Sequence, residues 1–270
     1  MFNCYVVRYS EIALKGDNRN FFEDKLASNI KICLKRNRVL FDKIRNPRGR
    51  VIIRTREDCG VLKNVFGITS FSKAVESEQD FEQIRNIALQ LYEKGSFKIS
   101  AQRSDKRFTK SSQQINEELG KFLVEKTGAK VDLKNPDTEI GVEIFDGKAY
   151  MFNEKIRGLG GLPIGTAGKV AVLLEDERSI VSAYLMLKRG CSVVFIGKKS
   201  FDFSVLDRYC YGSKVGLSED VPADVKALVV NDMIGSVKNY ETDFMVLRPL
   251  SSFTREGLND FLKEIIAEAV

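Results

Sequence analysis

The stretch VAVLLEDERSIVSAYLMLKRG, residues 170–190, limits the possible folds more than any other part of the chain. An unbroken apolar run of strand length gives way within a few residues to a helical pattern that closes at Gly190. A strand that is apolar on both sides must be covered on both, and a helix that follows at once is the covering layer of a parallel sheet. The alternation continues downstream. Strands are expected at Ser192–Ile196, Lys226–Val230 and Phe244–Leu247, and helices at Ser179–Arg189, near Ile234 and from Thr254, while residues 197–224 carry little periodicity. Residues 166–270 therefore read as a small α/β domain on a parallel sheet. Its first strand-to-helix turn is unusual, because Glu175, Asp176 and Glu177 stand where a phosphate-binding turn presents backbone amides and small residues.

The chain before this point has a different pattern. Residues 1–75 run strand, helix, strand, strand, short helix, strand, the split β-α-β order of a ferredoxin-like domain. Phe22, Leu26, Ile30, Cys33 and Leu34 fall on one face of its long helix, and FDKIRN, PRGR and VIIRT form a hairpin signal. Residues 76–165 form a second α/β unit. It has helices in DFEQIRNIALQLYEKG, capped by Gly95, and in SSQQINEELGKFLVEKTG, closed by Gly128. Its strands are SFKISAQR, KVDL, TEIGVEIF and KAYMFNEKI, the last two joined at Asp146-Gly147. Five glycines between Gly158 and Gly168 then mark a loop that hinges two domains or approaches a ligand backbone.

Composition removes several kinds of chemistry. The chain has no histidine, and its five cysteines (Cys4, Cys33, Cys59, Cys191, Cys210) form no C-x-x-C pair. Zinc and haem sites lack ligands, and Ser-His or Cys-His catalysis is excluded. The cysteines read as small buried hydrophobes, and Cys210, flanked by Arg208 and Lys214, is the one placed for a lowered thiol pKa. No leader-like or membrane-length apolar run is present, so the reading is cytoplasmic, with no membrane contact. Net charge is +6, and it is unevenly placed: residues 1–170 hold 31 Lys+Arg against 22 Asp+Glu, residues 171–270 hold 12 against 15. A polyanion is expected on the front of the chain.

Three stretches together carry a family resemblance: VVRYSEIALKGDNRNFFEDKL, then AQRSDKRFTKSSQQINEELG with NPDTEIGVEIFDGKAY, then EKIRGLGGLPIGTAGKV. They resemble the ThiI-type tRNA sulfurtransferases, which make 4-thiouridine, and AYLMLKRG, VVNDMIGSV and VLRPLSSFTREGLNDFLKEI extend the likeness through most of the chain. The resemblance implies a ferredoxin-like domain (1–75), a THUMP domain (76–165) and a Rossmann-like PP-loop ATPase domain (166–270). The first two would bind the acceptor region and 3' end of tRNA, and the family forms dimers. The RNA contacts it suggests are Lys15, Asn18 and Arg19 before the first helix, Arg48 and Arg50 in a hairpin that also carries Arg45, Arg54 and Arg56, then Arg103, Lys106, Arg107 and Lys110 in a basic turn, and Arg157. Phe108 in that turn is the aromatic expected to stack on an unpaired base.

The third domain departs from the family. Where the family carries S-G-G-x-D-S, this chain has EDERSIVS, in which only Ser179 matches, as the last serine. Glu175, Asp176, Glu177, Arg178 and Ser179 thus form a degenerate nucleotide loop, with the acids expected to cap the helix and repel ATP. The family's sulfur-carrying cysteine lies beyond the RPL strand and its helix; Cys191 and Cys210 do not stand there, and Val270 falls within or just after that helix. The expectation is a non-catalytic tRNA-binding protein with no cofactor and a truncated third domain, as a homodimer or docked to a modifying enzyme. Two alternatives stay open: an active sulfurtransferase using ATP and Mg, and an interaction protein that has kept the fold and lost RNA.

Overall fold

The computed structural model describes residues 2–47, 49–198 and 202–267. In chain order, β1 (Cys4–Arg8) precedes α1 (Arg19–Arg36), β2 (Lys43–Arg45), β3 (Val51–Arg54) and β4 (Ser70–Glu78). Next come α2 (Phe81–Leu91), β5 (Phe97–Arg103), α3 (Ser112–Thr127), β6 (Thr138–Phe145), β7 (Lys148–Phe152) and β8 (Ile156–Arg157). The remainder holds β9 (Lys169–Leu173), α4 (Arg178–Lys188), β10 (Ser192–Ile196), β11 (Gly216–Ser218), β12 (Val225–Val229), β13 (Met245–Leu247) and α5 (Arg255–Ala267). No helix of the described residues is long and apolar enough to cross a membrane. The chain divides into two compact units, each discontinuous in sequence.

The first unit comprises Met1–Arg8, Val39–Cys59 and Ser70–Arg157. Its sheet runs β2-β3-β1-β4-β7-β6-β5, with β8 added against β4. Every pairing is antiparallel except β5 with β6. Alternation along the strands divides the two faces. Phe97, Ile99, Ile140, Val142, Ile144, Ala149 and Met151 point to the side where α2 and α3 bring Ile84, Ala88, Ile115, Leu119 and Leu123. The register sets Lys98, Ser100 and Gln102 of β5 beside Glu139, Gly141 and Glu143 of β6 on the opposite side.

Local sequence accounts for the ends of these elements. Ser111 and Gln114 form a reciprocal capping box at the start of α3, and Gly128 closes it at φ 68°. Asp146 and Gly147 have φ of 50° and 73°, as a two-residue hairpin turn demands. Two expectations fail here. Helix α2 ends at Leu91 with Tyr92 extended, so Gly95 does not cap it; Gly95 sits instead in the turn against Asp137, where a Cβ would overlap the carboxylate. KVDL supplies a single bridge, Val131 to Phe97, because a polar run with one strong β-former cannot hold a ladder.

The second unit comprises Tyr9–Arg38, Gly60–Thr69 and Gly158–Val270. Its sheet is parallel throughout, ordered β11-β10-β9-β12-β13, so β9 is central, as its two-sided apolarity requires. Val170, Val172, Val193, Phe195, Ala227 and Val229 face one core, shared with Val181, Tyr184 and Leu187 of α4 and Leu258 and Ile265 of α5. Ala171, Val194, Ile196 and Leu228 face the other. The weakly patterned residues 197–224 contain a 3-10 turn at Ser204–Tyr209 and the short edge strand β11. No helix forms near Ile234, which is 80 % exposed; β12 leads into a turn held by Ser236 N–H on Met233 O.

The glycine-rich loop serves its own unit. The amides of Gly165, Thr166 and Ala167 all reach the Gly190 carbonyl at 2.8, 3.0 and 3.1 Å, and a Cβ on Gly161 would overlap the Lys188 carbonyl. The glycines let the chain close around the C-terminus of α4.

Candidate nucleic-acid interface and nucleotide turn

The turn from β9 into α4 is filled by the chain's own side chains. The Asp176 carboxylate accepts the Arg178 backbone N–H at 2.9 Å and the Arg178 guanidinium at 2.6 Å, so it caps the helix and is itself neutralised. Glu177 occupies the N-cap position without a side-chain cap. Glu175 turns away toward Asn231 Nδ2 (3.2 Å) and Lys238 Nζ (3.5 Å). One of the three acids, not all three, satisfies a helix amide.

Asn231, at the end of β12, is the residue that sequence reasoning missed. It is 1 % exposed, and its amide donates to Leu173 O (3.1 Å) and Ser179 Oγ (2.9 Å) while its carbonyl accepts Ser182 Oγ (2.8 Å). Ser179 Oγ in turn donates to Leu173 O and accepts the Glu175 amide, which exhausts its hydrogen-bonding capacity. The neighbouring Asp232 takes the Lys238 amide, the Tyr240 hydroxyl and Arg248 Nε. Burial opposes its ionisation, but those donors hold it below the usual carboxylate range. Burial and the bond to Asp232 push Tyr240 up to about 12. The only sequence hint of Asn231 was a polar pair, Asn231-Asp232, at the end of an apolar strand.

In the first unit, the basic turn after β5 is less cationic than its composition. Arg107 grips Asp105 with two nitrogens at 2.9 and 2.8 Å, holding that carboxyl well below its ordinary range, and Lys110 pairs with Glu118 at 2.7 Å. Arg103 donates inward to Phe108 O at 2.9 Å. Lys106 is exposed. Phe108 is 6 % exposed and packs in the α2–α3 core, so it is not available to stack on a base. A lone aromatic in a polar turn is ambiguous in sequence; here its burial anchors the turn.

The arginines of the β2–β3 hairpin are brought together on the helix-free face of the sheet. Cys4, Val6, Ile52, Ala74, Phe145, Tyr150 and Phe152 form a small apolar cluster there. Long side chains roof it. Arg45 reaches Glu76 (3.2 Å), Asp146 (2.9 Å) and Tyr150 Oη (2.8 Å), Arg54 pairs with Glu76, and Arg50 pairs with Glu143 at 2.6 Å. Arg8, not singled out from sequence, lies over the Phe152 ring at 4.6 Å and bonds Glu143 at 2.5 Å. Arg157 is exposed on β8, and Arg48 lies outside the described residues.

In the second unit, Lys15 joins two 3-10 turns, Asn18 ends the second and Arg19 begins α1. Lys15 Nζ sits 4.9 Å over the Phe22 ring, Arg19 pairs with buried Glu23 at 2.6 Å, and Asn18 is exposed without capping the helix. All five cysteines are buried. Burial pushes Cys210 up to about 12, overriding its basic neighbours in sequence.

Comparison with known proteins gives consistent results. The model of the ThiI ferredoxin-like domain matches residues 4–72, and that of the THUMP domain matches residues 77–154. A probable tRNA sulfurtransferase of Thermococcus kodakarensis is 40% identical over 240 residues, covering 80% of this chain and 63% of that protein. One from Methanocaldococcus jannaschii is 39% identical over 210 residues, covering 72% and 55%. The chain thus spans less than two thirds of these relatives' length. Among solved structures, PH1313 from Pyrococcus horikoshii superimposes with a TM-score of 0.85 at 33% identity over 97% of this chain and 99% of that one. A 4-thiouridine synthetase in complex with RNA and ATP gives 0.79 at 28% identity, over 98% and 85%.

Proposed function

The chain belongs to the ThiI-type tRNA sulfurtransferase family, and from that membership we propose that it binds the acceptor region of tRNA through its ferredoxin-like and THUMP domains, without ATP chemistry of its own. The observation that carries this reading is the β9–α4 turn. Its helix amide is capped by Asp176, and Asn231 and Ser179 consume each other's hydrogen bonds in the space beside it. A triphosphate brought to this turn meets Glu177 and has to displace Arg178 from Asp176 and Lys238 from Glu175, exposing two further carboxylates. At an effective dielectric near 20, each like-charge pair about 4 Å apart costs about 4 kcal/mol. The third domain then serves as a dimer surface or a dock for a modifying enzyme, which light scattering with and without tRNA tests.

The test is a parallel titration with tRNA and with Mg-ATP, at low and at physiological salt. Salt-dependent tRNA binding without ATP binding is the expected result, because phosphate contacts release counterions. Micromolar ATP binding would overturn the silent turn and favour an active sulfurtransferase, the reading that the ATP-bound relative supports. Failure to bind any RNA would favour an interaction protein on the same fold.

A further inference from the structure

The first unit carries a groove of about 700 Å³ between α3 and β5, the strand at one end of its sheet. Its apolar lining comes from Phe97 and Ile99 of β5, Gly120 and Val124 of α3, and Val131 and Leu133 of the segment that follows. Val124, Val131 and Leu133 are 40 %, 50 % and 69 % exposed, so the groove and the apolar side chains around it form one open patch. Gly120 deepens it. Glycine inside a helix is destabilising relative to alanine, yet a Cβ at Gly120 would meet no neighbouring group within 4 Å, so packing within the unit does not require the gap. The uncharged polar residues are already used: Asn116 Oδ1 takes the Ala101 amide at 2.8 Å, and Gln113 Nε2 donates to Glu117 Oε1 at 2.9 Å. The ionised residues are Glu117, Lys121 and Glu125, one to each turn of α3 and alternating in sign. Their net charge is negative, which disfavours a phosphodiester strand. Lys121 and Glu125 are exposed and 3.9 Å apart, a pair that contributes little within one chain.

We propose that a second copy of this chain covers the groove, its α3 antiparallel to the first about a two-fold axis level with Leu123. A two-fold interface has to be self-complementary, and this patch holds both halves of a contact, a recess at Gly120 and exposed apolar side chains beside it. Charge and apolar surface together fix the register. In an antiparallel pair related by a two-fold, the same flank of each helix faces its counterpart. An axis level with Leu123 lies midway between Lys121 and Glu125, so Lys121 faces the partner's Glu125 and Glu125 faces the partner's Lys121. Val124 then lies close to the axis and meets its own counterpart. An axis level with Leu119 would also pair Lys121, with the partner's Glu117, but it would set Val124 opposite the polar Gln114. The contact goes beyond the tRNA-binding reading and does not depend on it. It joins the copies through the first unit and leaves the third domain to dock an enzyme.

Sedimentation velocity of the full chain over a concentration series at low salt, without RNA, tests this on the unsubstituted protein, Lys121→Glu, Glu125→Lys and the variant carrying both. Both side chains are exposed, so folding is kept, and circular dichroism checks it. The unsubstituted protein should dimerise. Each single reversal puts two like-charge contacts into the dimer and should raise its dissociation constant about tenfold, whereas the double variant restores both pairs and should return it close to the original value. Gly120→Gln fills the recess from its own helix and favours that helix, so it should abolish the dimer with no loss of thermal stability. A protein that stays monomeric throughout overturns the contact. A dimer that the single reversals leave unchanged also overturns it, because the interface then lies elsewhere, and so does a double variant that fails to recover. Loss of tRNA affinity in Lys121→Glu with unchanged assembly would give the groove to RNA and overturn it as well. The tRNA-binding reading fails separately, if the unsubstituted protein does not bind tRNA.

Discussion

Replacing Asn231 by leucine tests whether the β9–α4 turn is a self-filled network. Leucine matches the volume but removes every hydrogen bond. The losses are unequal. Leu173 O keeps Ser179 Oγ at 3.0 Å, and Glu175 keeps Lys238 at 3.5 Å, so neither is stranded. Ser182 is different, being 0 % exposed with Asn231 Oδ1 as its hydroxyl's acceptor at 2.8 Å. A stranded buried hydroxyl costs about 1–3 kcal/mol, and each net hydrogen bond lost adds about 1 kcal/mol. Asn231→Leu should therefore destabilise by about 2–4 kcal/mol. Ser182→Ala removes the stranded group, so in the double variant about 1–2 kcal/mol should return as coupling energy. Urea unfolding of the four proteins, followed by far-ultraviolet circular dichroism, measures this. Additive effects, or a loss below about 0.5 kcal/mol for Asn231→Leu, within the range of an ordinary surface change, would refute the network.

Other consequences are narrower. Phe108→Ala should cost about 3–5 kcal/mol as a core truncation, whereas Phe108→Leu should keep both fold and RNA affinity; selective loss of RNA binding in the leucine variant would return Phe108 to the surface. Gly141→Ala should destabilise by more than about 1 kcal/mol in thermal unfolding, because its methyl meets the Phe152 ring. Asp105, Gln79, Arg107 and the Gly147 amide form one cluster, and the carboxyl is held low chiefly by Arg107. A lowered folded pKa contributes stability that is complete above about pH 4 and lost as pH falls below it, so Asp105→Asn should lower stability at neutral pH, change it little at acid pH, and so flatten the acid limb of the stability profile. Burial raises Cys4, Cys33 and Cys210 to about 12, so an aromatic disulfide reagent at pH 8 should label none of the three until the protein is unfolded.

The architecture was more legible in the sequence than the site was. Strand and helix periods are properties of neighbouring residues, and β5, β6, β9, β10, α3 and α4 lie within a residue or two of where pattern alone puts them. The failures share a physical cause. Gly95 was read as a cap because capping is local, yet its conformation is set by Asp137, some forty residues on. The helix expected near Ile234 lacks a buried face, since Met233 enters the core but Ile234 and Val237 stay exposed. Phe108 had the opposite fate, since a polar neighbourhood in sequence did not prevent burial in space.

Charge was the least legible property, because counting cations says nothing about which are already paired. The turn at residues 103–110 holds four cations in eight residues, and two of them, Arg107 and Lys110, are committed to carboxylates. Arg8 looks unremarkable at the end of an apolar strand, but pairing through Glu143, supplied 135 residues later, leaves it beside Arg50 with one acceptor too few. The capacity of a surface to hold phosphate is set by the charge left after internal pairing and by the orientation of what remains.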